Sequence, residues 1–149
     1  MTNAVNKVVS PQNAVLGHWN GSAITACTTR APTATALLAA ANISVALAAE
    51  ANVDQKISKI TVKASSSSFT APTASQLVQV WIWDGTTAYL FDEIQIDLVT
   101  PSTTVKAFST EKLYDDLVLP KTHALYMSTS ITTTASTTAL TAHIHGASM

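Results

Sequence analysis

From residue 56 onward, apolar and polar positions alternate in short runs separated by turn signals. In Ile60-Thr61-Val62-Lys63-Ala64 the alternation has period two, the mark of a strand with one buried face. Residues 76–83 repeat it, with Val78, Val80 and Ile82 on one side and Leu77, Gln79, Trp81 and Trp83 on the other. Asp84-Gly85 then predicts a tight hairpin, because glycine adopts positive φ at no steric cost. The return strand spans residues 88–98, with Leu90, Ile94, Ile96 and Leu98 sharing a face. Thr100-Pro101-Ser102 is a turn, and residues 105–109 form a short strand. Asp115 and Asp116 read as turn residues before Leu117-Val118-Leu119, which Pro120 ends. Residues 124–130 and 135–144 complete the series, with His143 and His145 sharing a face of the last strand.

The first third is less regular. Residues 1–21 scatter Val8, Val9, Leu16 and Trp19 among Pro11, Gly17 and Gly21 without a sustained period. They read as an extended arm whose apolar residues lie against a partner surface. Residues 22–30 form a plausible strand closed by Pro32. In residues 34–51, Leu37, Ala41, Val45 and Ala48 fall at helical spacing, but Asn42-Ile43-Ser44-Val45 interrupts them with strand formers. Two short strands with a turn near Asn42 are the preferred reading. The whole is all-β: a β-sandwich, jelly-roll-like, of about eight or nine strands. An arm of residues 1–21 precedes a single sandwich domain of residues 22–149.

Composition narrows the function classes. Charged residues are only 11% of 149 and the formal net charge is -1, against about 25% charged in an average soluble domain. Lys56, Lys59 and Lys63 make no patch suited to a phosphate backbone, so nucleic acid is not an expected partner. No run is long and apolar enough to span a membrane, and the first fifteen residues lack a secretory pattern. Thr, Ser and Ala stand where charge usually does, which suits a surface covered by partners. Cys27 is the single cysteine, so no intramolecular disulfide can form. It reads as a small buried side chain.

Candidate chemistry is sparse. His143 and His145, with His123 as a third, have workable spacing for a metal, but two interface histidines are the simpler reading; such an interface is pH-sensitive. Asp92-Glu93 and Asp115-Asp116 are adjacent pairs whose side chains point to opposite strand faces, so neither pair makes two facing catalytic carboxylates. Nucleophile-elbow, phosphate-loop and zinc-protease motifs are missing from the sequence. The sequence therefore predicts no enzyme, no cofactor and no metal. Trp81 and Trp83 are either a stacking platform for sugar rings or packing residues under another segment, the second being preferred.

Residues 57–145 resemble small structural proteins of tailed bacteriophages. The resemblance rests on Ile60-Thr61-Val62-Lys63-Ala64, the apolar strand 78–83, Asp84-Gly85-Thr86, and Tyr89-Leu90-Phe91-Asp92-Glu93-Ile94. Thr100-Pro101-Ser102 and Leu117-Val118-Leu119-Pro120 complete the pattern. It implies a place in the virion, on the capsid surface, as a decoration or cement protein assembled in the host cytoplasm. The implied partners are the major capsid protein and further copies of the chain, a trimer being favoured by three-fold lattice sites. Val8, Val9, Leu16, Trp19, Trp81, Trp83, His143 and His145 are then the interface candidates. A glycan- or receptor-binding appendage, or a tail or neck component, is the alternative.

Overall fold

The computed structural model describes residues 14–34 and 42–149. Nine strands and no helix occur among them: β1 (Ala14–Gly21), β2 (Thr33–Ala34), β3 (Ile43–Leu47), β4 (Gln55–Ala64), β5 (Gln76–Trp83), β6 (Thr87–Ile96), β7 (Ser109–Leu119), β8 (Ala124–Thr129) and β9 (Leu140–Ser148). They form two sheets, ordered β1-β9-β4-β7 and β2-β6-β5-β8-β3, with every pairing antiparallel. This is a β-sandwich, as the alternation predicts.

The core lies between the sheets. Trp19, Ile57, Ile60, Val62, Leu119, Leu140 and Ile144 from the first sheet meet Leu47, Val78, Val80, Ile96, Leu125 and Met127 from the second. Period-two patterning places these side chains inward and leaves the outer face of the first sheet mostly to polar residues, with Val15 and Leu113 exposed among them.

The second sheet is apolar on both faces. Gln79, Trp81 and Trp83 point away from the core, and a stretch of the chain's own backbone covers them. Cys27, Ile43, Trp81 and Ala88 form a second buried cluster there, flanked by Trp83, Leu90 and Tyr126. A buried relay holds it together. Trp81 Nε1 donates to Ser128 Oγ at 2.9 Å, Ser128 Oγ donates to Gln79 Oε1 at 2.8 Å, and Gln79 Nε2 donates to the Thr29 carbonyl at 3.1 Å. Each buried polar group in the relay is satisfied, as burial requires.

Several expectations change. Residues 14–21 are not part of an arm: they are the edge strand β1, paired with β9, and Trp19 is fully buried. Val8 and Val9 lie outside the described residues. Residues 22–30 are not a ladder strand. They leave the end of the sandwich and pass over the outer face of the second sheet, tied by Ile24 N to Thr133 Oγ1 at 3.0 Å, Cys27 N to the Thr129 carbonyl at 2.8 Å and Gln79 Nε2 to the Thr29 carbonyl at 3.1 Å. Asn42 does sit in a turn before β3, while the strand expected on its other side falls outside the described residues. Asp115 and Asp116 lie inside β7, where the β4–β7 register shifts between Ile57 and Lys59, so no turn interrupts that strand. The strand expected at residues 105–109 is loop until Ser109, and β9 begins at Leu140, five residues after the expected start. A bulge at Phe91 shifts the β5–β6 register, so Leu90 and Ile94 no longer share a face. Leu98 lies beyond β6 and is exposed.

Candidate functional site

The connections are unequal at the two ends of the sandwich. Residues 48–54, 84–86 and 120–123 are short and tightly bound. Asp84 Oδ1 accepts from the Thr86 and Thr87 amides at 2.9 and 2.8 Å, which holds its carboxyl below the usual range. Gly85 takes φ of 105°, as the hairpin demands. Thr122 also has positive φ, 72°, and its amide donates to the Glu50 carbonyl at 2.7 Å.

The opposite end gathers residues 22–26, 65–75, 97–108 and 130–139. These longer connections are laced together: Ser65 N donates to the Ala139 carbonyl at 2.9 Å, Ser67 N to that of Ala135 at 2.8 Å, and Thr73 Oγ1 to that of Asp97 at 2.7 Å. A cleft of about 410 Å³ opens between residues 64–71 and 101–107. Ser66, Ser68, Ser102, Thr103 and Thr104 give it hydroxyls, and Phe69 and Val105 give it apolar wall. Phe69 is 71% exposed and Leu98, in the same group of connections, 67%. No periodicity marks this end in the sequence; its one signal is Phe69, the only aromatic in a run of Ser, Thr, Ala and Pro.

A second surface is the outer face of the first sheet. Register sets side chains in rungs across its four strands. Val15, His145, Lys59 and Leu113 form one, and His18, His143, Thr61 and Glu111 the next. Asn20, Thr141, Lys63 and Ser109 form the third. His18 Nδ1 and His143 Nδ1 are 3.3 Å apart, one donating and the other accepting. His145 Nε2 lies 3.4 Å from Thr61 Oγ1, and Lys59 Nζ 3.4 Å from Glu111 Oε1. Partial burial, with His18, His145 and Lys63 nearby, pushes the His143 imidazole below its usual pKa.

The sequence candidates thus separate. His143 and His145 share the expected face, joined by His18 of β1, a strand whose broken alternation conceals it in the sequence. His123 is beside Asp84 at the short-loop end, away from the other histidines. No group of three or more metal-ligating residues occurs among the described residues. Trp19 and Trp81 are fully buried, so neither is a free interface residue. Leu16 packs partly buried on the main core. Trp83 is half-buried with its ring edge-on to Tyr126, centroids 6.0 Å apart. Comparisons with family models, curated proteins and solved structures find no match to this chain.

Asp92 and Glu93 point apart, as strand neighbours must. Glu93 pairs with Arg30 at 2.7 Å, and Asp92 accepts from Tyr114 Oη at 3.0 Å. Burial and the Asp92 carboxylate push the Tyr114 phenol far above its ordinary pKa. Lys112 Nζ lies 3.5 Å from Asp92, so Asp92 ties the open side of β7 to β6.

Proposed function

We propose that this chain is a structural protein of a virus particle, a capsid decoration or cement protein that binds the outside of the major capsid protein lattice and stabilises the head. The observation that carries the reading is the long-loop end, where Phe69 and Val105 stand exposed in a hydroxyl-lined cleft and Leu98 stands exposed in the connection that forms one of its walls. A cement protein needs a few apolar anchors within a polar rim, because a few buried side chains supply most of the affinity of a protein interface.

Three further features support it. The resemblance of residues 57–145 to small phage structural proteins points the same way. The strand order β1-β9-β4-β7 facing β3-β8-β5-β6, with β2 as an extra edge, supports reading the sandwich as a jelly roll, a fold that recurs in viral capsid proteins. The charge-poor surface suits permanent coverage. Self-association as a trimer follows the lattice argument and is checked by light scattering of the purified protein. Residence on the capsid surface, after assembly in the host cytoplasm, belongs to the same proposal.

The experiment is co-sedimentation with heads lacking the chain. Wild type is expected to pellet with them at saturable stoichiometry, and Phe69→Ser with Leu98→Ser to lose binding while keeping the wild-type unfolding midpoint. Undiminished binding by the double variant contradicts the assignment of this end.

A glycan- or receptor-binding appendage is the second reading. Phe69, an exposed ring over Ser and Thr hydroxyls, favours it more than Trp81 does, since Trp81 is buried. Binding to a glycan array that is lost in Phe69→Ser, together with failure to bind heads, supports that reading instead. A tail or neck position is separated from the capsid surface by copy number.

A further inference from the structure

We propose that the outer face of the β1-β9-β4-β7 sheet is a docking surface for a carboxylate-rich protein segment, and that the surface tightens as pH falls. The inference does not depend on the capsid reading.

The argument starts from charge placement. The chain as a whole carries eight basic and nine acidic residues. Within one open basin of about 410 Å³ on this face, the lining side chains are Val15, Lys59, Thr61, Lys63, Ser109, Glu111, His143 and His145. Glu111 is the single carboxylate there, and Lys59 already engages it. His18 borders the basin through its contact with His143. Two lysines and three histidines therefore meet on three adjacent strands with one acid among them. A partner bringing carboxylates would neutralise that excess; a metal ion would add to it.

The groups facing His143 come from every neighbouring strand. His18 faces it from β1, His145 lies two residues along β9, Lys59 and Lys63 stand on β4, and Glu111 extends from β7. The His18–His143 contact holds one proton between two nitrogens. A second proton would set two cations 3.3 Å apart with no acceptor between them. Without a ligand His143 resists protonation. Carboxylates seated across His18 and His143 supply acceptors for a second proton, so binding and proton uptake favour one another.

The flanks favour a protein over a nucleic acid. Val15 and Leu113 end the rung through His145 and Lys59, and they are 57% and 71% exposed. They offer apolar contact on both sides of the basic strip. Two lysines are too few for tight binding of a phosphate backbone at neutral pH.

The test is titration of the full chain with an oligoglutamate peptide at pH 5.5 and pH 8, at low salt, following histidine ring resonances by NMR. The peptide is expected to bind about tenfold more tightly at the lower pH, the change that follows if it raises one histidine pKa by about one unit. The His143 titration should move upward with peptide bound. His143→Gln and Lys63→Ala, both on the outer face, should each weaken binding several-fold, and His123→Gln should leave it unchanged. Absence of binding, pH-independent binding, an unmoved His143 titration, or indifference to both substitutions overturns the proposal. So does single-stranded DNA that binds at pH 8 as tightly as the peptide binds at pH 5.5.

Discussion

Replacing Trp19 by Ala tests whether β1 belongs to the sandwich. Trp19 has 0% exposure in the main core, and its Nε1 donates to Ser44 Oγ of β3 at 2.9 Å, so one side chain joins the two sheets. A buried tryptophan hides about 150–250 Å², which at about 25 cal/mol/Å² gives roughly 4–6 kcal/mol. Measured Trp-to-Ala losses in cores are about 3–5 kcal/mol, so about 4 kcal/mol is expected. With a urea slope of about 2 kcal/mol/M, the unfolding midpoint falls by about 2 M. Trp19→Phe keeps most of the apolar burial and loses the bond to half-buried Ser44, an expected cost of about 1–2 kcal/mol. Both values come from urea melts followed by far-ultraviolet circular dichroism. A loss below about 1 kcal/mol for Trp19→Ala would refute the reasoning. Trp19 would then lie on a surface, as an arm residue awaiting a partner does.

Three further outcomes are expected. Ser128→Ala removes the centre of the Trp81–Ser128–Gln79 relay and strands two buried polar groups, so urea melts should show a loss of about 2–4 kcal/mol. Gly146→Ala places a Cβ against the Lys56 carbonyl, a backbone atom that cannot rotate away; β4 and β9 must separate locally, and a loss of at least about 2 kcal/mol is expected from the same melts. His143 has a depressed pKa in the fold, so the native state takes up that proton less readily than the unfolded chain. Stability from this group is therefore complete above the unfolded value of about 6.5 and is lost as pH falls toward the depressed one. Unfolding free energies measured between pH 5 and 8 should show that slope in wild type and a smaller one in His143→Gln.

Much of the fold was legible because strands with one wet face write period two into the sequence. Ile60 to Ala64 and the Asp84-Gly85 hairpin are cases where local signal and tertiary structure agree. The misreadings have particular causes. β1 carries Gly17 and Gly21 and a register shift between Val15 and Gly17, so its alternation is broken although Trp19 faces the core. Gly17 stays glycine because a Cβ there would meet the Ala46 carbonyl, and that constraint takes an apolar residue out of the pattern. Phe91 is a bulge residue, and one extra residue reverses every later side chain relative to those before it. Trp81 faces away from the core, and only the path of residues 27–33 reveals that it is covered.

The surfaces were harder to see than the strands. His143 and His145 could be paired from spacing alone, but His18 joins them from 125 residues away through the β1–β9 register. The cleft beside Phe69 depends on two loops that no periodicity links.

The most direct test of the capsid role is the copy number of this chain in purified virions from its source, by quantitative mass spectrometry against the major capsid protein. The account predicts hundreds of copies in a simple ratio to the capsid protein. A handful of copies would place the chain in the tail, neck or an attachment appendage, and its absence from the particle would contradict the account.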